Sequence, residues 1–254
     1  MAEDDSKSIT DLALIQLIPN MLTIAAICAG LSAIRFGVQG NYELAVQLIV
    51  AACVLDALDG RIARLLSSDS KMGAELDSLA DFVNFGVAPP LIIYFWALQD
   101  MRSAAWISVL IYAICCVLRL ASFNVGSKSS DNCEQVKADD WFLGVPSPAG
   151  ALLVLLPMSV SFAFANTPLV PDILICAHMI IIGLTMISRV PTYSFKGARI
   201  SRSNVKFFLL GFAILGAAIM TFAWITLVAV CLGYVCLIFW CLIAGLQPNT
   251  NKEK

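Results

Sequence analysis

Charge is what this chain has least of. Only 13% of its 254 residues are Asp, Glu, Lys or Arg, and there is a single histidine. Soluble domains carry about 25% charged residues, so a water-soluble globule is excluded. No pair of cysteines is spaced as CxxC, which removes the usual signal of a thiolate metal site. Eight of the nine cysteines sit in apolar runs and read as small buried hydrophobes, not as a disulfide framework. The N-terminus MAEDDSKSIT has no basic n-region, so a cleaved secretory signal is not expected. There is also no internal repeat, low-complexity tract or interdomain linker.

What is abundant is apolar sequence, at 59% of the chain. Runs of the ~20 residues needed to cross ~30 Å of hydrocarbon recur along the whole length. The expected fold is therefore an all-α membrane protein, a polytopic helical bundle of about eight transmembrane helices. The spans are read at 17–36, 42–65, 79–99, 104–124, 144–165, 170–190, 206–222 and 225–244. The last two divide one apolar run, 207–244, that is too long for a single crossing. Pro19 and Pro171 are expected at span starts, where a missing N–H costs nothing. A polar cytosolic segment (1–16), one membrane domain (17–244) and a polar tail (245–254) complete the organisation.

Lysine and arginine set the orientation. With the N-terminus in the cytosol, fourteen of the sixteen basic residues face inward, and only Arg35 and Arg102 face out. This positive-inside bias predicts both termini in the cytosol and an even number of spans. It gives no reason to expect nucleic acid as a partner.

The charges that remain inside the spans are the informative ones. One aspartate at a helix centre costs roughly 2.5–3.5 kcal/mol on insertion scales. Here Asp56 and Asp59 close the second span, and Asp77 and Asp81 open the third. Spacings of three and four put each pair on one helix face. The short polar connection SSDSKMGAE, with Gly73, makes the two spans antiparallel neighbours, so both faces converge at one depth. Four carboxylates in a low-dielectric site repel unless protons or cations intervene. All-oxygen ligands favour hard cations, Mg²⁺ or Mn²⁺. The competing account makes these aspartates solvated helix-end residues paired with Arg61, Arg64 and Lys71. A cation channel or transporter with an intramembrane carboxylate site is a further alternative at this point.

The stretch DALDGRIARLLSSDSKMGAELDSLAD (56–81) fits D-x2-D-G-x2-A-R-x8-G-x3-D-x3-D at every fixed position. Those positions are Asp56, Asp59, Gly60, Ala63, Arg64, Gly73, Asp77 and Asp81. By this motif the chain resembles the CDP-alcohol phosphotransferase family, and the likeness extends from Pro19 to about residue 200. The segments IPNMLT (18–23), DFVNFGVAPP (81–90), LRLASFN (118–124), FLGVPSPAG (142–150) and SRVPTYSFKG (188–197) are similar to the serine-using members. Ser122 departs from them, where many relatives carry arginine.

The resemblance implies an enzyme that moves a phosphatidyl group from CDP-diacylglycerol to an alcohol, here L-serine, and releases CMP. It implies Asp56, Asp59, Asp77 and Asp81 as ligands of two divalent ions, with Asp81 also the base for the serine hydroxyl. Gly60, Ala63, Arg64, Asn20, Thr23 and Ser70 match positions that meet the CDP-diacylglycerol head. Arg119, Asn124 and Ser147 are candidates for holding serine, with Arg189, Lys196 and Arg199 weaker ones. His178, alone in the sixth span, reads as a packing residue. Glycerol 3-phosphate, inositol or choline are the alternative acceptors. A homodimer in a bacterial inner membrane, with the site facing the cytosol, is also implied.

Overall fold

The computed structural model describes residues 3–66, 71–129, 141–164, 170–188, 191–193, 218 and 221–243. These are overwhelmingly helical. α1 is Glu3–Val38 and α2 Tyr42–Leu65. α3 (Lys71–Asp81) runs through a π-helical stretch (Phe82–Val87) into α4 (Ala88–Ala97). α5 is Arg102–Ser129, α6 Ser147–Val154, α7 Leu156–Phe164, α8 Asp172–Ile187 and α9 Ala223–Ile243. Two three-residue strands, β1 (Trp141–Leu143) and β2 (Pro191–Tyr193), pair antiparallel.

Four helical stretches are long and apolar enough to cross a membrane, and a fifth is added if α6 and α7, bent by 43°, count as one span. α2 has the length, at 24 residues, but carries Glu43, Asp56, Asp59, Arg61 and Arg64. The expected span 206–222 lies almost wholly outside the described residues. Two expectations about helix starts change. α1 begins at Glu3, so Pro19 lies inside a helix and not at its start. α3 begins at Lys71, so Gly73 is helical and the polar turn is shorter than expected. Pro171 does cap α8.

The bundle turns its apolar side chains both inward and outward. Ile49, Ile92, Ile93, Tyr112, Met158 and Met179 are fully buried between helices. Ile107, Leu110, Ile114 and Val117 of α5 are exposed, as a lipid-facing surface requires. α1 packs along α2, α5 along α8, and α9 against α7. Small residues permit close approach: a Cβ on Gly183 of α8 would come within 3.2 Å of Tyr112 Cα on α5.

Two prolines explain the irregular helices. A helical proline frees the carbonyl four residues back, because it has no N–H to give. Pro89 frees Phe85 O, and the buried Tyr112 hydroxyl of α5 donates to that oxygen at 3.1 Å. The π-helical stretch lies just before this proline. Pro157 frees Leu153 O, and His178 Nε2 of α8 lies 2.8 Å from it. A carbonyl can only accept, so that ring nitrogen carries the proton. His178 is thus a packing residue with a defined task at the α6–α7 bend.

Candidate active site

The middle of α1, the end of α2 and α3 meet at the carboxylates. Asp56, Asp59 and Asp77 each place one oxygen within 4.8 Å of the others. Asp59 is buried, Asp56 half-buried and Asp77 exposed. Thr23 of α1, itself buried, sets the Asp59 rotamer: its Oγ1 lies 2.7 Å from Asp59 Oδ2 and 3.1 Å from Pro19 O. The single hydroxyl proton goes best to the carboxylate, where the bond is charge-assisted. The other oxygen, Asp59 Oδ1, is buried with no partner.

Asp81 lies one turn beyond Asp77, at the start of the π-helical stretch. Its carboxylate is within hydrogen-bonding reach of Asp56. Its Oδ1 is buried and unpartnered. Two carboxylates cannot share such a contact without a proton or cation between them. Among the described residues, neither Arg61 nor Arg64 pairs with these aspartates, and both are exposed. The helix-end account therefore loses its partners, apart from Lys71, whose side chain lies outside the described residues. An orphaned buried oxygen and three converging carboxylates fit a hard divalent cation.

The other predicted residues fall into three groups. Asn20 is half-buried one turn before Thr23, Ala63 is half-buried, and Arg64 is exposed. Gly60 is also exposed, and a Cβ there would meet nothing within 4 Å, so no described helix packs on it. Ser70, Arg189, Lys196 and Arg199 lie outside the described residues. Arg119 and Ser147 come together: Arg119 Nη1 donates to Ser147 Oγ at 2.5 Å. The Arg119 guanidinium also lies within electrostatic range of Asp81, while its Nε is buried without a partner. Asn124 instead ties α5 to α3, its Nδ2 donating to Ser78 Oγ at 3.0 Å.

Ser147 reaches this place through the VPSP segment. Gly144 adopts φ +83°, and a Cβ there would sit 2.5 Å from Met186 O, so only glycine makes this turn. Pro146 then caps α6 in an extended conformation. Sequence reasoning missed Asn84 and Tyr234. Asn84 is 1% exposed, presses against Gly30 of α1, and has neither amide atom partnered. A lone polar side chain in each apolar run was the available signal.

A family model, described as CDP-alcohol phosphatidyltransferase, matches residues 16–187. The chain belongs to that family. The chain is also similar to curated proteins named CDP-diacylglycerol--serine O-phosphatidyltransferase. The protein of Mycobacterium leprae is 40% identical over 177 residues, 70% of this chain and 58% of that one. That of Mycobacterium tuberculosis (strain H37Rv) is 43% identical over 152 residues, 60% and 52% of the two chains. That of Helicobacter pylori (strain 26695) is 35% identical over 198 residues, 76% and 78%. The chain thus spans a little over half the length of the mycobacterial relatives. All four aspartates lie inside the stretch matched by the family model, and α9 lies outside it.

Proposed function

We propose that the chain transfers the phosphatidyl group of CDP-diacylglycerol to the hydroxyl of L-serine, releasing CMP. The observation that carries this reading is the convergence of Asp56, Asp59 and Asp77 beside Asp81, whose Oδ1 is unpartnered and which lies within electrostatic range of Arg119. Asp56, Asp59, Asp77 and Asp81 would hold two divalent ions, Mg²⁺ or Mn²⁺. Such ions supply neutralisation of the pyrophosphate charge. Three relatives carry the serine transferase name, which favours serine over other alcohols.

The remaining steps belong to side chains. Asp81 accepts the proton of the serine hydroxyl. The serine oxygen forms a bond to the phosphorus that bears diacylglycerol, and the bond from that phosphorus to the CMP oxygen breaks. CMP leaves with the electron pair. Positioning in line provides much of the acceleration in phosphoryl transfer. Gly60 leaves room for the nucleotide beside α2, with Asn20, Thr23, Ala63 and Arg64 around it, and Ser70 is assigned to the same head by the family resemblance alone. Arg119, with Ser147 as its support, meets the serine carboxylate. Asn124 holds α3 in register with α5 beside them.

The topology follows the positive-inside pattern: eight spans in one domain over 17–244, both termini and the site on the cytosolic side of a bacterial inner membrane. A homodimer is part of the same reading. Purified protein given CDP-diacylglycerol and, separately, L-serine, glycerol 3-phosphate, inositol and choline should release CMP with serine. Release with another alcohol and not with serine would refute the acceptor.

A further inference from the structure

The serine reading leaves a polar side chain unexplained on the last helix. Tyr234 lies in α9, outside the stretch matched by the family model. Its hydroxyl is buried and has no hydrogen-bond partner. α9 packs against α6 and α7, and Cys231 Sγ donates to Leu152 O at 3.7 Å. Seven residues earlier on α9, the Trp224 ring meets Phe162 of α7, with centroids 4.9 Å apart, ten residues beyond Leu152. Rising numbers along α9 therefore meet falling numbers along α6, which carries Tyr234 towards Ser147. Consistently, Tyr234 lies within electrostatic range of the Arg119 guanidinium.

Three buried groups in this part of the bundle lack partners, Asp81 Oδ1 from α3, Arg119 Nε from α5 and the Tyr234 hydroxyl from α9, and the Arg119 guanidinium lies within electrostatic range of both the others. Two are donors and one is an acceptor. Buried polar atoms without partners cost stability, so a site retains them where a ligand completes them. The matching ligand is small, with an anionic group for the two donors and a hydroxyl or ammonium for the carboxylate. We propose that Tyr234 donates its hydroxyl to the carboxylate of the amino-acid acceptor, beside Arg119, so that α9 completes the acceptor pocket and helps select serine. This rests on the reading of serine as acceptor. Tyr234 is then a specificity residue contributed by a helix outside the family's matched segment.

The test is Tyr234→Phe in the purified full chain, with CMP release followed against L-serine and against CDP-diacylglycerol, and with glycerol 3-phosphate as a second anionic acceptor. The expected result is a serine KM raised on the order of tenfold, a KM for CDP-diacylglycerol within about twofold of wild type, and a kcat changed by less than about threefold. Because the hydroxyl has no protein partner, the Tm should stay level or rise. An unchanged serine KM would overturn the proposal. A lowered Tm, or both KM values rising together, would show a structural role and overturn it as well. Wild-type turnover of glycerol 3-phosphate in place of serine would instead refute the acceptor reading, and this inference with it. An unchanged Tyr234→Phe enzyme that still uses serine would refute this inference alone.

Discussion

Thr23→Val removes one oxygen and keeps the shape of the side chain. In the folded protein Thr23 is 4% exposed and Asp59 3% exposed, and 2.7 Å separates Thr23 Oγ1 from Asp59 Oδ2. A hydrogen bond to a charged group is worth about 1.5–3 kcal/mol. Here it fixes a carboxylate that converges with those of Asp56 and Asp77 and whose other oxygen is unpartnered. Losing an outer-sphere partner of a metal ligand typically costs 10- to 100-fold in metal affinity. That range is about 1.4–2.7 kcal/mol, which agrees with the hydrogen-bond figure. The assay is CMP release from CDP-diacylglycerol as a function of Mg²⁺ or Mn²⁺. Thr23→Val should raise the half-saturating metal concentration about 10- to 100-fold, with most of the maximal rate recovered at high metal. Thr23→Ser, which keeps the donor, should stay within a few-fold of wild type. A half-saturating concentration unchanged in Thr23→Val would refute the claim that Thr23 orients a metal ligand.

Gly60→Leu should fold normally, because a side chain there meets no described neighbour; it should raise the KM for CDP-diacylglycerol at least tenfold, on the order of the ~1.4 kcal/mol that a blocked contact removes, as steady-state kinetics would reveal. His178→Phe strips the donor from the Leu153 carbonyl that Pro157 frees; it should cost about 1–3 kcal/mol of stability, read as a lower Tm in detergent. Gly144→Ala forces a Cβ to 2.5 Å from Met186 O at φ +83°; a loss of at least about 1–3 kcal/mol is expected, measured the same way.

Much of the site could be read from the chain because it is local. Spacings of three and four residues and one short turn suffice to bring Asp56, Asp59 and Asp77 together. The bounds of α2 likewise match the expected 42–65, whereas α5 runs on to Ser129, beyond the expected end at 124. The start of α1 does not match either, because hydropathy finds where the lipid begins and not where the helix begins. Glu3, Asp4 and Asp5 favour a helix N-terminus through its dipole, so the helix continues beyond the apolar run. The contacts of Tyr112 with Phe85, His178 with Leu153 and Arg119 with Ser147 join residues 25 to 28 positions apart. No periodicity within one helix encodes such pairs; they depend on how neighbouring helices rotate. Tyr234 was hidden for the same reason.

Asp81→Asn tests the central claim most directly. The substitution keeps size and shape but removes the base, and general-base catalysis contributes about 10²–10⁴ in rate. Phosphatidylserine and CMP should be measured together, from CDP-diacylglycerol and L-serine with divalent metal present. Wild type should form the two in equal amounts, and Asp81→Asn should lose at least about 10² in kcat with its Tm preserved. Undiminished formation of both products by Asp81→Asn would contradict the account.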